Sequence, residues 1–372
     1  MRVAIVNPVW TAAAPTPELT LDRFPTLTGW AAAVRDAGGD VHVFQRFHTD
    51  AELRVDGIRY AFVKDRLAER PSLLYAGRTL SNRVSSVAPD IVHVNGLDHP
   101  RLTRRLRRVL PRSCGIVVQD HGGIVPASLS SPRKRLVRAG LRAANALLVA
   151  TEPQVDEFRQ SGAVPDDLPI RDVMEGSTTF SAQARAADRR ALSVLFVGRL
   201  NGNKDPLTVL GGFVQFAATR TDATLSFVYD GGDLEPALRT AIAALDADLG
   251  SRIVLLGRIP HEQMASIYGQ ADLFVLGSHH EGSGYAAVEA LACGLVPALT
   301  DIAPFRALTD HGRVGALWRV ADPASLRAAL EHLTALPLAA ASAASRERFE
   351  QEFSWPAIGR RAMTIYQEVS RG

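Results

Sequence analysis

This chain has few cysteines and no long apolar segment, and each of these features excludes a class of protein. Only Cys114 and Cys293 occur among 372 residues, too few for a disulfide framework or a cysteine metal motif. No apolar run is long enough to cross a bilayer. The opening residues 1–7 have the pattern of a short β-strand rather than of a signal peptide. We therefore expect a cytoplasmic protein whose two cysteines are buried and inert.

The overall composition is that of a globular domain, with 47% hydrophobic and 22% charged residues. Its length favours two domains over one. The net charge of +3 is unevenly distributed. Residues 1–190 contain 27 Lys and Arg against 20 Asp and Glu, whereas residues 191–372 contain 15 against 19. This asymmetry indicates that the first half meets an anionic partner or surface.

Short strand-like segments alternate with helical ones along the whole chain. The predicted strands are 3–6, 41–44, 91–94, 116–119 and 146–150 in the first half, and 193–197, 224–229, 253–256, 273–276 and 296–298 in the second. Such alternation is typical of parallel sheets built from βαβ units. We predict an α/β protein of two doubly wound, Rossmann-like domains, residues 1–170 and 191–352, facing across a cleft. The aperiodic segment 165–190 contains the linker, placed at 171–190.

The most informative segment follows the predicted strand 273–276. It begins with Glu281, Gly282, Ser283 and Gly284 and continues as an Ala-rich helix that includes Glu289. The glycines allow the backbone to approach a ligand closely, and the helix amino terminus favours an anion. A carboxylate in so apolar a helix needs hydrogen-bond donors, and the adjacent hydroxyls of a sugar or ribose would supply them.

A second motif follows the predicted strand 193–197. Arg199 and Lys204 flank a helix amino terminus at which Asp205 suits the N-cap and Pro206 the first turn. Two cations beside free amides suit a diphosphate. The alternative is two surface cations near a turn. The Gly-Lys-Ser/Thr ending of a Walker A loop is missing.

Two further strand ends carry candidate ligand-binding residues. Gly231 lies in a strand–glycine–helix segment that could cradle a phosphate or line a base pocket, although a plain tight turn is an equal alternative. Arg258 and Ile259 follow the next predicted strand and could border a nucleobase, with an ordinary loop as the alternative.

Together these motifs resemble the retaining nucleotide-sugar glycosyltransferases of family 4, which have the GT-B fold. The segments that carry the resemblance are Val197-Gly198-Arg199 with Lys204-Asp205, the Glu-x7-Glu motif from Glu281 to Glu289, Tyr268 with Ala271-Asp272, and Phe353-Ser354-Trp355. The second half matches along most of its length, and the first half in pattern only. The resemblance implies an acceptor-binding first domain, a donor-binding second domain and a C-terminal helix, 353–372, that packs back on the first.

The resemblance also implies a role for each matching residue. Arg199 and Lys204 would hold the donor diphosphate. Glu289 would accept from the ribose hydroxyls, and Glu281 from those of the sugar. Amides at 283 and 284 would meet sugar or phosphate. His121, at a first-half strand end, resembles the histidine that faces the transferred sugar; a loop histidine is the alternative. Relatives often have Phe at 283 and Pro at 277, where this chain has Ser and Gly.

Two short patterns resemble metal sites. Asp246-Ala247-Asp248 matches the Asp-x-Asp of another glycosyltransferase fold, but it ends a predicted helical stretch, 236–249, and a solvated helix end is favoured. His279-His280 lacks a third ligand at a recognisable spacing. We therefore predict no metal requirement and no cofactor beyond the nucleotide sugar used as substrate.

Arginine clusters lie on two predicted helices of the first half, at 101–108 and 133–142. A solvated helix face is the favoured interpretation. The functional alternative is docking on an anionic membrane surface, or on a phosphorylated acceptor, which would place the protein at the inner face of the membrane. Nucleic acid is a weaker option because no aromatic residues are interleaved.

The predicted activity is transfer of a sugar from a nucleoside diphosphate to a hydroxyl acceptor with retention of anomeric configuration. The acceptor is a glycan, a lipid-linked sugar or a small molecule. The rival functions are a nucleotide-sugar epimerase or hydrolase of the same fold, and a non-catalytic subunit that binds nucleotide sugars. The sequence does not identify the base, the sugar or the acceptor.

Overall fold

The structure, a computed structural model, describes residues 1–67, 73–121, 129–174, 176, 180, 191–282 and 284–371. The chain divides into two compact units. Unit 1 contains Met1–Gly176 together with Trp355–Gly372, and unit 2 contains Ser177–Ser354. Among the helices of the described ranges, none combines the length and hydropathy needed to span a membrane.

Unit 1 is an α/β sandwich. Its strands are β1 (Arg2–Asn7), β2 (Asp40–Phe47), β3 (Ala51–Val55), β4 (Ile58–Lys64), β5 (Ile91–Asn95), β6 (Gly115–Gln119), β7 (Ala146–Val149) and β8 (Ile170–Asp172). Its helices are α1 (Pro17–Arg23), α2 (Pro25–Asp36), α3 (Arg78–Ser85), α4 (Pro100–Val109), α5 (Ser131–Leu141), α6 (Glu152–Gln160) and α15 (Trp355–Arg371). The strands form one sheet in the order β3-β4-β2-β1-β5-β6-β7-β8.

The five strands predicted in the first half are all present in this sheet, but its two edges were not predicted. β3 and β4 form an antiparallel hairpin around Asp56 and Gly57, which both have positive φ. An Asp-Gly pair between two β-rich segments is a hairpin signal, so this element was detectable from sequence. At the other edge, β8 pairs with β7. The predicted linker, 171–190, therefore begins inside the sheet, and most of its remainder lies outside the described residues.

The sheet of unit 1 is covered on both faces. Helices α3, α4, α5 and α6 bury their apolar residues on one face, in a cluster that includes Leu80, Leu102 and Phe158. The other face packs against α1, α2 and α15, through residues such as Trp30 and Tyr366. The helix α15 contacts both α2 and β6. The last helix of the chain therefore supplies part of the core of unit 1.

Unit 2 repeats the doubly wound design. Its strands are β9 (Ser193–Val197), β10 (Thr224–Val228), β11 (Ile253–Gly257), β12 (Leu273–Leu276), β13 (Val296–Thr300) and β14 (Ala316–Trp318). Its helices are α7 (Pro206–Ala217), α8 (Glu235–Ala243), α9 (Ala247–Ser251), α10 (His261–Gly269), α11 (Tyr285–Ala292), α12 (Ala303–Leu308), α13 (Pro323–Ala335) and α14 (Leu338–Glu352).

The strands of unit 2 form a parallel sheet in the order β11-β10-β9-β12-β13-β14. All five strands predicted for this half are present, and β14 is an additional one. The central strands are apolar along their length, with β12 and β13 fully buried, because helices cover both faces of a parallel sheet. The predicted α/β class with two parallel-sheet domains is confirmed.

Candidate functional site

The two principal motifs meet at the switch point of the sheet in unit 2. From β9 the chain proceeds to β10 and β11 on one side, whereas β12 lies on the other side of β9. The connections that leave β9 and β12 therefore diverge. Ligands of open parallel sheets bind in the crevice that such divergence creates at the carboxyl ends of the strands. The loop 198–205 follows β9 and the segment 277–282 follows β12, so both motifs border that crevice.

Lys204 and Glu281 are in direct contact at this point, although 77 residues separate them in the chain. The Lys204 Nζ forms an ion pair and hydrogen bond with the Glu281 Oε1. The same oxygen accepts a hydrogen bond from the Ser278 hydroxyl at 2.7 Å. The side chains of Lys204 and Glu281 are 22% and 11% exposed. The pair is thus well shielded from water but still accessible, and Ser278 is a participant that sequence reasoning missed.

The side chain of Asn203 links the two loops. The side chain of Asn203 donates to the carbonyl of His280 and accepts from the amide of the same residue, each at 3.0 Å. A Cβ atom at Gly277 would lie 3.0 Å from the carbonyl oxygens of both Lys204 and Asp205. The absence of a side chain at 277 therefore lets the loops approach closely, which gives a physical reason for glycine where relatives often have proline.

Helix α7 begins immediately beside this contact. Asp205 caps it, accepting from the amide of Thr208 at 3.2 Å, and Pro206 occupies its first turn, as predicted from sequence. The other carboxylate oxygen of Asp205 lies 3.1 Å from His279 Nε2. The positive end of the α7 dipole and the Lys204 ammonium thus lie at one edge of the crevice, an arrangement suited to an anionic ligand.

Glu289 is on the second turn of α11, a helix whose other residues are mostly buried. Its Oε2 accepts a hydrogen bond of 2.9 Å from the Tyr268 hydroxyl, which also lies 3.3 Å from the carbonyl oxygen of Ala286. Burial, and secondly the negative charge of Glu289, raise the pKa of Tyr268 well above its usual value. The Tyr268 hydroxyl therefore stays protonated and donates to Glu289. Sequence reasoning foresaw that this carboxylate needs donors but did not identify the tyrosine as one.

Both glycines before α11 lie within the described residues. Gly284 has a φ of +66° and is the N-cap of α11, with no side-chain cap bond. Gly282 is half-buried and adjoins Glu281. Ser283 lies outside the described residues. The structure thus places Gly282 and Gly284 between the Lys204–Glu281 pair and the amino terminus of α11.

The remaining donor-site candidates follow neighbouring strands of the same sheet. Arg199, two residues beyond β9, is exposed, and the amide of Leu200 donates to the carbonyl of Gly231 at 3.0 Å. Arg258 and Ile259 follow β11; Arg258 is 80% exposed and lies 3.9 Å from Asp230. These candidates therefore occupy the carboxyl end of the sheet in unit 2, where Lys204 and Glu281 are in direct contact.

His121 belongs to unit 1, where it follows β6 and is exposed. Close to it is the fully buried His93, whose Nε2 lies 2.9 Å from Gln119 Oε1 and whose Nδ1 lies 2.6 Å from the Tyr366 hydroxyl. The amide oxygen of Gln119 only accepts, so Nε2 carries the proton and Tyr366 donates to Nδ1. Trp30 Nε1 donates to the same hydroxyl at 3.0 Å. Burial, and secondly the nearby His121, lower the pKa of His93 to about 3.

Both metal-like patterns have structural roles. The prediction that Asp246 lies at the end of a helix, 236–249, was wrong. Helix α8 ends at Ala243, and Asp246 is the N-cap of α9, accepting a hydrogen bond from the amide of Leu249 at 2.9 Å. Asp248 pairs with Arg252 one turn later. His279 contacts Asp205, as described above. Among the residues that the structure describes, no group of three or more His, Cys, Asp and Glu side chains is arranged to hold a metal ion.

Comparison with known proteins finds a family match within unit 2. Residues 191–335 match the family Glycosyl transferases group 1. The chain is also 28% identical, over 260 residues, to the GDP-mannose:cellobiosyl-diphosphopolyprenol alpha-mannosyltransferase of Xanthomonas oryzae pv. oryzae. That alignment covers 67% of this chain and 65% of the relative, so the chain spans slightly less than two thirds of the relative's length.

Solved structures resemble the whole chain. Sucrose-phosphate synthase from Thermosynechococcus elongatus superposes with a TM-score of 0.68 at 19% identity, covering 99% of this chain and 98% of its own. The Anabaena protein HepE, in complex with UDP, gives a TM-score of 0.71 at 16% identity, covering 99% and 100%. At these identities the likeness shows the fold alone, and the predicted GT-B fold is confirmed.

Proposed function

We propose that this chain, whose residues 191–335 form a Glycosyl transferases group 1 domain, transfers a sugar from a nucleoside-diphosphate donor to a hydroxyl acceptor with retention of anomeric configuration. The proposal is supported by the family match, by the fold, and by the position of the two predicted motifs at one switch point. The retaining outcome and the nucleotide-sugar donor rest on the resemblance of the motifs to family 4.

The contact between Lys204 and Glu281 is the observation that carries the proposal. A lysine beside the amino terminus of α7 supplies positive charge where a diphosphate would lie. Glu281, with one oxygen already bonded to Lys204 and Ser278, is held in one orientation toward the same crevice. A cation for phosphate and a carboxylate for hydroxyls thus lie side by side, as a sugar linked to a diphosphate requires.

The proposed chemistry depends on electrostatic stabilisation of the leaving group. As the bond between the sugar and the phosphate oxygen breaks, negative charge accumulates on the diphosphate, and Arg199 with Lys204 would stabilise it. Glu281 and Glu289 would fix the donor through its sugar and ribose hydroxyls. In the retaining scheme that the family resemblance implies, the acceptor hydroxyl attacks on the face that the diphosphate leaves, and a departing phosphate oxygen takes its proton.

The identity of the base stays open within this proposal. The Xanthomonas relative is named for GDP-mannose, whereas the HepE structure contains UDP. Gly231, Arg258 and Ile259, at the ends of β10 and β11, are our candidates for the base and phosphate contacts. Thermal stabilisation of the protein by a panel of nucleotide sugars would identify the donor, because a ligand bound only by the folded state raises the melting temperature.

The decisive assay measures nucleoside-diphosphate release with and without acceptor. Release that requires an acceptor, with a product of unchanged anomeric configuration, supports the proposal. Release or isomerisation without acceptor would identify a hydrolase or an epimerase, and donor binding without turnover would identify a non-catalytic subunit. We expect activity to persist in the presence of a chelator, since protein cations are proposed to neutralise the diphosphate.

The Lys204→Ala variant tests the central assignment. Loss of a group that stabilises developing charge lowers turnover by roughly a hundredfold or more. Lys64→Ala is the matched control, because Lys64 is an exposed lysine at the end of β4 in unit 1. If Lys204→Ala folds normally and retains the wild-type kcat, Lys204 does not stabilise the leaving group.

A further inference from the structure

Three neighbouring helices of unit 1 carry positive charge without any negative charge. Helix α4 packs between α3 and α5. Among the residues of the three helices, eleven are Arg or Lys and none is Asp or Glu. Their leucines and valines, such as Leu80, Leu106 and Val137, are buried in the core beneath. The charged residues on the outward side of this layer, which we call the basic face, are therefore all cationic.

The arginines of the basic face are arranged in two stripes of identical spacing. On α4, Arg101, Arg104 and Arg108 are all exposed and lie at positions i, i+3 and i+7. Arg135, Arg138 and Arg142 repeat this spacing along α5 and its C-cap. Residues so spaced share one side of a helix. Each stripe is about 10 Å long, and packed helices lie about 10 Å apart, so together they form a broad cationic surface.

Most of these cations have no carboxylate partner among the residues that the structure describes. Among the described residues, Arg83 pairs with Glu52 and Arg138 with Asp166, each through exposed partners. Arg107 bonds instead to neutral carbonyl oxygens. The α4 stripe has no carboxylate partner in the described part of the chain. The charge on this stripe is thus available to an external anion.

This arrangement costs the isolated protein stability. Like charges one turn apart repel each other, and cations in a first helical turn, such as Arg101, oppose the helix dipole. A surface that serves only solubility avoids this cost by mixing charges of both signs. The rest of the chain contains charges of both signs, and residues 191–372 have an excess of acidic over basic residues. An external anionic surface would offset the repulsion on the basic face.

We propose that the basic face docks this protein on a lipid bilayer that contains anionic headgroups. The surface is too broad for one phosphate group, and it matches an extended plane of negative charge. Nucleic acid fits less well, because none of the three helices contains an aromatic residue on which a base could stack. The apolar side chains of the stripes' helices face the core, so the attachment is electrostatic and sensitive to salt. The inference is independent of the proposed transfer reaction.

The test is co-sedimentation of the full chain with lipid vesicles. One set of vesicles is pure phosphatidylcholine, and the other contains about one third phosphatidylglycerol, which creates a negative surface potential. The protein should bind only the anionic set, and it should be released when ionic strength rises from about 0.05 M to about 0.5 M. Each basic residue near such a surface contributes about fivefold in affinity, the equivalent of about 1 kcal/mol.

A charge-matched pair of variants assigns the binding to the basic face. The triple variant Arg101→Gln, Arg104→Gln and Arg108→Gln should bind anionic vesicles about a hundredfold more weakly than the wild type. The control carries Arg313→Gln, Arg319→Gln and Arg327→Gln, which remove the same charge from exposed positions in unit 2. Far-ultraviolet circular dichroism of both variants establishes that they fold.

Four outcomes would overturn the proposal. The first two are no binding to anionic vesicles and equal binding to neutral and anionic ones. The third is an equal loss of binding in both triple variants. The fourth is a stronger affinity for a single-stranded oligonucleotide than for anionic vesicles, if the α4 triple variant abolishes the oligonucleotide binding. Selective loss in the α4 variant supports it. None of these measurements requires a sugar donor, so failure of docking is distinguishable from failure of the proposed transfer.

Discussion

Replacement of His93 by glutamine should make unit 1 less sensitive to acid. His93 is completely buried, with one ring nitrogen bonded to Gln119 and the other to Tyr366 of the last helix. Its pKa is lowered to about 3, chiefly by burial. In the unfolded chain the same ring has an ordinary pKa of about 6.5. Below that pH the unfolded state binds a proton that the folded state rejects.

The size of the effect follows from these two pKa values. Stability contributed by the neutral ring is fully present above about pH 6.5 and is lost progressively as the pH falls toward about 3, at a limiting slope of about 1.4 kcal/mol per pH unit. At pH 5 the native ring is still neutral whereas the unfolded one is almost fully protonated. The loss at pH 5 is therefore about 2 kcal/mol.

Urea unfolding at pH 8 and pH 5, followed by tryptophan fluorescence, measures this loss. Three of the four tryptophans, Trp10, Trp30 and Trp355, belong to unit 1, and Trp30 is 5.1 Å from His93 between ring centres. His93→Gln keeps a donor for Gln119 but does not titrate. The decrease in unfolding free energy between the two pH values should be about 2 kcal/mol smaller in the variant than in the wild type.

A matched control is the same substitution at an exposed histidine of unit 2, His332→Gln on α13. If His93→Gln and the wild type lose the same free energy between pH 8 and pH 5, the ring is not held neutral in the folded state. The hydrogen-bonding scheme that links β5 to the last helix would then be wrong.

Two further predictions concern unit 2. Tyr268→Phe removes the donor that orients Glu289 and should weaken nucleotide-sugar binding by about tenfold, as measured by calorimetric titration, because bonds to charged groups contribute about 1.5 kcal/mol or more; unchanged affinity would show that Tyr268 has no positioning role. Gly232→Ala should lower the free energy of unfolding by about 3 kcal/mol, since Gly232 has a φ of +145° and its Cβ would lie 2.1 Å from the carbonyl oxygen of Leu200. Gly231→Ala, where the Cβ meets open space, should cost only about 1 kcal/mol, and equal losses in the two variants would contradict this account.

The sequence revealed those features of the fold that depend on local pattern. A fully buried parallel strand needs an uninterrupted apolar segment, so segments such as Leu273–Leu276 and Ser193–Val197 are legible without a structure. The capping of α7 by Asp205 and Pro206 was likewise a matter of adjacent residues. The strands at the sheet edges were missed, and so was β4, which lies inside the sheet between β3 and β2. β3 and β14 are partly exposed, and β8 and β14 have only three residues each, so their periodicity is weak.

The candidate site was only partly predictable. Glu281, Lys204 and Glu289 were identified as polar residues in otherwise apolar or glycine-rich segments. Their partners were not, because Ser278 and Tyr268 reach them through the packing of different elements. A serine or a tyrosine has no local signature that marks it as a donor to a particular carboxylate. The roles proposed for all of these residues in donor binding stay predictions.

By itself, the sequence determined that this chain folds as two α/β domains with glycine-rich and charged loops at strand ends, because apolar periodicity and turn residues are properties of neighbouring positions. Only the tertiary structure decided that Lys204 meets Glu281, that Tyr268 donates a hydrogen bond to Glu289, and that the last helix completes the core of unit 1 through Tyr366. These contacts join residues far apart in the chain. They arise from strand order and helix packing, which the whole set of buried surfaces fixes together.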